Sequence, residues 1–132
     1  MREIDKVAWI LIEDGRVLST RSRDKDVWYL PGGKREPGET DLETLRREID
    51  EELSVEVDVR GAVHLGTFTA QAHGHAADTI VRMTCYRAGY RGQLLPANEI
   101  AEMAWLGYAD RHRTSPVDQL IFDHLVAADL LR

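Results

Sequence analysis

The sequence predicts a single-domain α/β fold in which a mixed β-sheet carries at least two helices. Three observations predict it. A chain of 132 residues is one ordinary domain in size and can bury a core. Short β-branched runs ended by Gly and Pro clusters read as strands. Two longer stretches repeat apolar residues at spacings of three and four, as an amphipathic helix does. With 43% hydrophobic and 30% charged residues, the composition is that of a folded chain rather than a disordered one.

The first strand is expected over Lys6 to Glu13. Asp14-Gly15 is a two-residue hairpin signal, and Arg16 to Arg21 forms the returning strand. Leu30-Pro31-Gly32-Gly33 and Glu36-Pro37-Gly38 are breaker clusters around a loop. Thr40 to Leu53 reads as a helix, with Thr40 as N-cap and Glu43 completing a capping box. Leu42, Leu45, Ile49 and Leu53 form its apolar stripe. Val55 to Ala70 and Thr79 to Tyr90 read as two strands, joined by a small polar loop that carries His73 and His75. Glu102 to Leu106 reads as a short strand. Ser115-Pro116 then opens a second helix, with Val117, Leu120, Ile121, Leu125 and Ala128 as its buried face.

The net charge of -6 argues against binding long nucleic acid, which calls for a basic stripe. A small anionic substrate stays compatible with it, because a bound divalent cation supplies local positive charge. Val7 to Ile12 is too short for a secretory core or a membrane span, so neither is expected. Cys85 is the single cysteine; it reads as a core thiol and points to the reducing cytoplasm.

Glu48, Glu51 and Glu52 fall outside the apolar stripe, on an adjoining helix arc about 100° wide. Like charges at this spacing weaken a helix by roughly 0.2–0.5 kcal/mol per pair. A solvated acidic face is one reading of them. The other is a divalent-metal site, and oxygen donors without His or Cys suit Mg²⁺ or Mn²⁺.

From Gly33 the chain reads Gly33, five residues, Glu39, seven residues, then Arg47-Glu48-Ile49-Asp50-Glu51-Glu52-Leu53-Ser54-Val55. This resembles the Nudix box, G-x5-E-x7-R-E-U-x-E-E-x-G-U, with U bulky and apolar. One fixed position departs, since Ser54 stands where the family has Gly. The lead-in Leu30-Pro31-Gly32-Gly33 is also similar. The resemblance implies an α/β/α sandwich and a metal-dependent hydrolase that cleaves a diphosphate linkage. It implies metal contacts from Glu48, Glu51, Glu52 and the Gly33 carbonyl. Glu48 or Glu51 would take the proton of the attacking water, and spacing leaves both open. It implies that Arg47 and Glu39 are a supporting pair, and that Gly32 and Gly33 allow close backbone approach to substrate. If the residue after the helix is left-handed, Ser54 costs on the order of 1 kcal/mol.

Other residues have a plain reading and a functional one. Arg21 and Arg23 either contact phosphate or are surface charge. His73 and His75 either touch substrate or lie in a solvated loop. Trp28 and Tyr29 either stack on a base or pack beneath the glycine loop. Trp105 is expected in the core. Of Glu99 and Glu102, Glu102 is the chosen fourth carboxylate, against an exposed strand residue.

Family subgroups carry further markers. An ADP-ribose-type Pro is absent where Thr69 and Ala70 stand, a dinucleoside-polyphosphate-type Tyr is absent near Gln71 and Ala72, and Leu18 to Ser22 only partly matches a coenzyme A marker. By elimination the resemblance is to small nucleoside-triphosphate-type members. The expected partner is a small nucleotide-like molecule, with no membrane and no long nucleic acid, and a homodimer is left open. The rival is a nucleotide-sensing module on the same fold, because fold does not establish activity; the complete carboxylate set argues for the enzyme. An isomerase would need a cysteine at the site, and Cys85 reads as core.

Overall fold

The computed structural model describes residues 2–72, 74 and 77–132. His73 and His75 lie outside the described residues, so their reading is not taken further. Strand β1 (Arg2–Ile10) is the centre of a four-stranded sheet. It pairs in parallel with β7 (Thr79–Arg87) and antiparallel with the short β4 (Gly32–Lys34), while β6 (Val63–Gln71) flanks β7 antiparallel. The sheet is therefore mixed, as expected. A second sheet joins β2 (Ile12–Glu13), β3 (Arg16–Ser22) and β9 (Ile100–Leu106). A small third ladder pairs β5 (Glu56–Val57) with β8 (Tyr90–Arg91).

Helices α1 (Asp41–Leu53) and α2 (Pro116–Ala127) cover opposite faces of the main sheet. Alternation along β1 shows why. Val7 and Trp9 pack with Leu45, Ile49 and Leu53 of α1. Ala8 and Ile10 pack with Ile121, Phe122 and Leu125 of α2. Cys85 is fully buried in this second cluster.

The hairpin forms at Asp14-Gly15, both with positive φ (53° and 75°), as a tight two-residue turn requires. The capping box at Thr40 and Glu43 is made in both directions. Other elements depart from expectation. The stretch from Val55 to Ala70 is interrupted by a 3₁₀ turn over Val59–Gly61, where Asp58 accepts from the Arg60 amide and Gly61 follows. Gly32–Lys34 begins inside the breaker cluster yet forms an edge strand, and Gly32 is what lets it fit close against β1. Ideal Cβ geometry at Gly32, whose φ is +146°, meets the Val7 carbonyl oxygen at 2.0 Å. On α2, Leu120 is exposed and Ala128 lies at the C-cap. Asp118 and Phe122 take their place in the buried face. Val117, Asp118, Ile121, Phe122 and Leu125 together define that face, and at about 100° per residue Leu120 falls roughly 130° from its centre. Trp105 is only partly buried, against the α1 cluster. No helix among the described residues is long and apolar enough to cross a membrane.

Ser54 closes α1 in the left-handed region (φ 66°, ψ 24°), and its amide donates to Asp50 O. Its hydroxyl donates to Leu95 O at 3.1 Å. Glycine would relieve on the order of 1 kcal/mol of strain, more than an exposed hydrogen bond returns. Thermal melts are expected to rank Ser54→Gly above wild type and wild type above Ser54→Ala. An alanine variant as stable as the glycine variant would contradict this order.

Candidate active site

The site forms where the C-terminal half of α1 faces the Gly32–Lys34 edge strand. Thr40 and the capping box set the start of the helix, and its apolar stripe sets the rotation. Glu48 and Glu52 are thereby turned toward the glycine loop, and Glu51 stands beside Arg47. The carbonyls at the end of the helix are met from the segment before β9: Ala97 donates to Glu52 O, Leu95 to Leu53 O, and the Asn98 side chain to Glu51 O. This folding-over brings Glu99 close enough for its charge to act on Glu48 and Glu52.

Arg47 organises the carboxylates. Its Nε and Nη2 donate to the two oxygens of Glu39 at 2.8 and 2.9 Å. Its Nη1 donates to Glu48 Oε1 at 2.8 Å, and Nη2 also reaches Lys34 O at 3.1 Å. Glu51 stands 3.7 Å from the same guanidinium. Glu39 also accepts from the Glu36 amide and the Thr44 hydroxyl, both at 2.9 Å. The Arg47 bonds, helped by the Glu36 amide, hold the Glu39 carboxyl at a pKa of about 2. The paired carboxylates in turn keep Arg47 charged. Arg47→Ala is expected to leave the fold intact and cut turnover roughly 10–100-fold, the scale for residues that orient ligands. Wild-type kcat at saturating Mg²⁺ would count against this role.

Burial separates the three glutamates. Glu51 is half-exposed. Glu48 is mostly covered, and desolvation raises its pKa against the opposing pull of Arg47. Glu52 is 7% exposed. Its Oε1 accepts from the Gly32 amide at 3.0 Å. Desolvation, which that bond only partly offsets, pushes its pKa up to about 8. A Cβ at Gly33 would lie 2.4 Å from the Glu48 carboxyl, so glycine leaves the space that Glu48 fills.

As placed, no three His, Cys, Asp or Glu side chains among the described residues converge as a ready-made metal cage. Glu48 is turned to Arg47 and Glu52 to the Gly32 amide. The donor set still fits a hard divalent cation. It is all oxygen, it crowds like charges, and it includes a buried carboxylate that burial alone makes costly to ionise.

A cavity of ≈ 270 Å³ adjoins Glu52 and Gly32. Ile4, Tyr29, Val81 and Met83 contribute apolar walls, and Lys6, Lys25 and Lys34 contribute cations. Tyr29 thus lines the cavity while Trp28 is buried. Arg21 and Glu102 are paired with each other at 2.6 Å. Arg23 is exposed, and its amide donates to Glu99 O at 2.9 Å.

Sequence reasoning missed Asp118 and Lys6. Asp118 is fully buried, and its Oδ2 accepts from the Leu30 amide at 2.9 Å, tying the glycine lead-in to α2. Burial pushes its pKa up to about 7. The available signal was a charge within the apolar stripe of α2. For Lys6 it was a charge in the inward register of a core strand.

An α/β/α fold that sets a crowd of carboxylates beside a glycine edge and a cationic cavity has the build of a hydrolase. Residues 3–124 match the NUDIX domain family model, and the chain belongs to the Nudix family. It is similar to the CTP pyrophosphohydrolase of Escherichia coli K12, 28% identical over 109 residues, covering 80% of this chain and 76% of that protein. The solution structure of the E. coli ORF135 protein superposes with a TM-score of 0.77 at 24% identity, covering 98% and 92% of the two chains. The E. coli dihydroneopterin triphosphate pyrophosphohydrolase superposes at 0.73 with 19% identity, covering 97% and 99%. At these identities the structures establish the fold.

Proposed function

We propose that the chain hydrolyses a diphosphate linkage in a nucleoside di- or triphosphate derivative, using Mg²⁺ or Mn²⁺ held by Glu48, Glu51, Glu52 and the Gly33 carbonyl. One observation carries this reading: the buried Glu52 carboxylate, fixed by the Gly32 amide next to Glu48, opens onto a cavity lined by three lysines. The similarity to a CTP pyrophosphohydrolase over most of both chains supports a nucleotide substrate. A bound cation would neutralise phosphate oxygens and acidify a water.

The chain's own residues would do the rest. Lys25 and Lys34 draw the phosphate chain toward the glutamates. Gly32 and Gly33 let it approach the backbone. Arg47, anchored by Glu39, orients Glu48. A carboxylate oxygen of Glu48 or Glu51 takes the water proton as the water oxygen bonds to phosphorus. The bridging P–O bond breaks, and the second phosphate leaves with its electron pair. Glu99 is the better fourth carboxylate, because Glu102 would first have to leave Arg21. Arg21 and Arg23 remain second candidates for phosphate contact. Cys85, a buried free thiol, suits the cytoplasm.

The test is a phosphate-release screen with Mg²⁺ across nucleoside triphosphates, nucleotide sugars, dinucleotides and coenzyme A. Turnover of a triphosphate is expected, abolished by EDTA and restored by Mg²⁺ or Mn²⁺. Full turnover in excess chelator would overturn the metal assignment. Nucleotide binding with no product would replace the enzyme by a sensing module.

A further inference from the structure

Lys6 is a cation where the fold calls for an apolar residue. It shares its face of β1 with Ala8 and Ile10, both buried against the α2 cluster. Its register partners are Lys34 on β4 and Met83 on β7, and all three side chains line the cavity. Two lysines directly opposite one another weaken a strand pair. Half-burying one of them adds a desolvation cost. The Lys6 ammonium lies 5.5 Å from the centroid of the Tyr29 ring. Its charge also acts on both buried carboxylates, Glu52, which lines the cavity, and Asp118, which ties the glycine lead-in to α2. Lys6 is half-buried whereas Lys25 and Lys34 are exposed, so of the three cavity cations it is the one least open to solvent.

The cavity is small. Whole-ligand sites run from roughly 300 Å³ upward, so ≈ 270 Å³ suits one part of a nucleotide, with the phosphates outside it at the glutamates. Tyr29, Ile4, Val81 and Met83 offer surface to a flat heterocycle. We propose that Lys6 is a specificity-determining residue that donates to an exocyclic carbonyl of the nucleobase, selecting oxo bases over their amino counterparts. An ammonium has three donors and no acceptor. A 6-oxopurine or 4-oxopyrimidine gives it an acceptor at that edge. The matching 6-amino or 4-amino base presents a donor instead, and leaves a partly desolvated cation facing N–H groups, which is the costly arrangement. The assignment rests on the nucleotide reading of the site.

The experiment is calorimetric binding of nucleoside monophosphates in EDTA, so that the cavity rather than the metal centre carries affinity. Inosine against adenosine monophosphate, and uridine against cytidine monophosphate, swap one carbonyl for one amino group at the relevant edge. The wild-type protein is expected to bind the oxo member of each pair about tenfold more tightly. Lys6→Met, which keeps an unbranched chain, brings both ratios close to one. Lys6→Arg retains most of the preference. Equal weakening of all four ligands by Lys6→Met would make Lys6 a phosphate contact and overturn the proposal. No preference in wild type, or an unchanged ratio in Lys6→Met, would also overturn it. Absent triphosphate turnover alongside a Lys6-dependent binding ratio would sink the hydrolase reading alone. Turnover without base preference would sink the Lys6 assignment alone.

Discussion

Glu52→Gln is expected to lower turnover at least roughly 10²-fold, about 2.7 kcal/mol of lost transition-state stabilisation, while leaving the protein folded. Glutamine keeps the shape and can still accept from the Gly32 amide, which Glu52 Oε1 does now at 3.0 Å. It removes the charge and one strong oxygen donor from a carboxylate that is 7% exposed. Without metal the variant should be no less stable than wild type at neutral pH, because an uncharged amide avoids the cost of either ionising or protonating a buried carboxyl. The pH dependence gives the sign. A carboxyl whose folded pKa is raised from 4.5 to about 8 contributes most below pH 4.5. That contribution falls as pH rises toward 8, by up to about 1.4 kcal/mol per unit. Apo wild type should therefore lose stability over this window relative to the variant. Mg²⁺ should raise the melting temperature of wild type and not that of Glu52→Gln, since binding to the folded state alone is what stabilises. Retention of both the metal-induced shift and the rate would reduce Glu52 to a buried structural acid.

Gly33→Ala is expected to lower turnover by a similar roughly 10²-fold with little change in melting temperature. The new methyl would occupy the place of the Glu48 carboxyl, at 2.4 Å. Glu48 is a side chain and can rotate away, so the fold accommodates the change while Glu48 leaves Arg47. Gly32→Ala is the contrasting control. There the neighbour is the Val7 carbonyl oxygen at 2.0 Å, and φ is +146°. Backbone cannot rotate away, so roughly 1–3 kcal/mol or more of stability should be lost. Paired kcat values and thermal melts separate the two. A Gly33→Ala enzyme with wild-type kcat would remove Glu48 from the chemistry at this position.

What sequence determined was what depends on local spacing. The capping box at Thr40 and Glu43, the Asp14-Gly15 hairpin, the stripe from Leu45 to Leu53 and the shared arc of Glu48, Glu51 and Glu52 all follow from periodicities of a few residues. The resemblance to the Nudix box implied that Arg47 and Glu39 are a supporting pair, and the guanidinium meets that carboxylate. Tertiary structure decided what joins distant segments. Glu102 was chosen by its position in sequence, but β9 pairs with β3 and sets Glu102 beside Arg21. The 95–98 segment folds onto the carbonyls at the end of α1 and sets Glu99 where its charge acts on Glu48 and Glu52. Gly32–Lys34 read as loop because Gly and Pro mark breaks locally, and only the neighbouring strand β1 turns it into an edge strand. Asp118 and Lys6 are ordinary surface residue types. They become a buried carboxylate and a cavity cation only because β1, the glycine lead-in and α2 converge. Local propensity acts over a turn or a hairpin, whereas burial and charge at a site are sums over segments that are neighbours only in the folded chain.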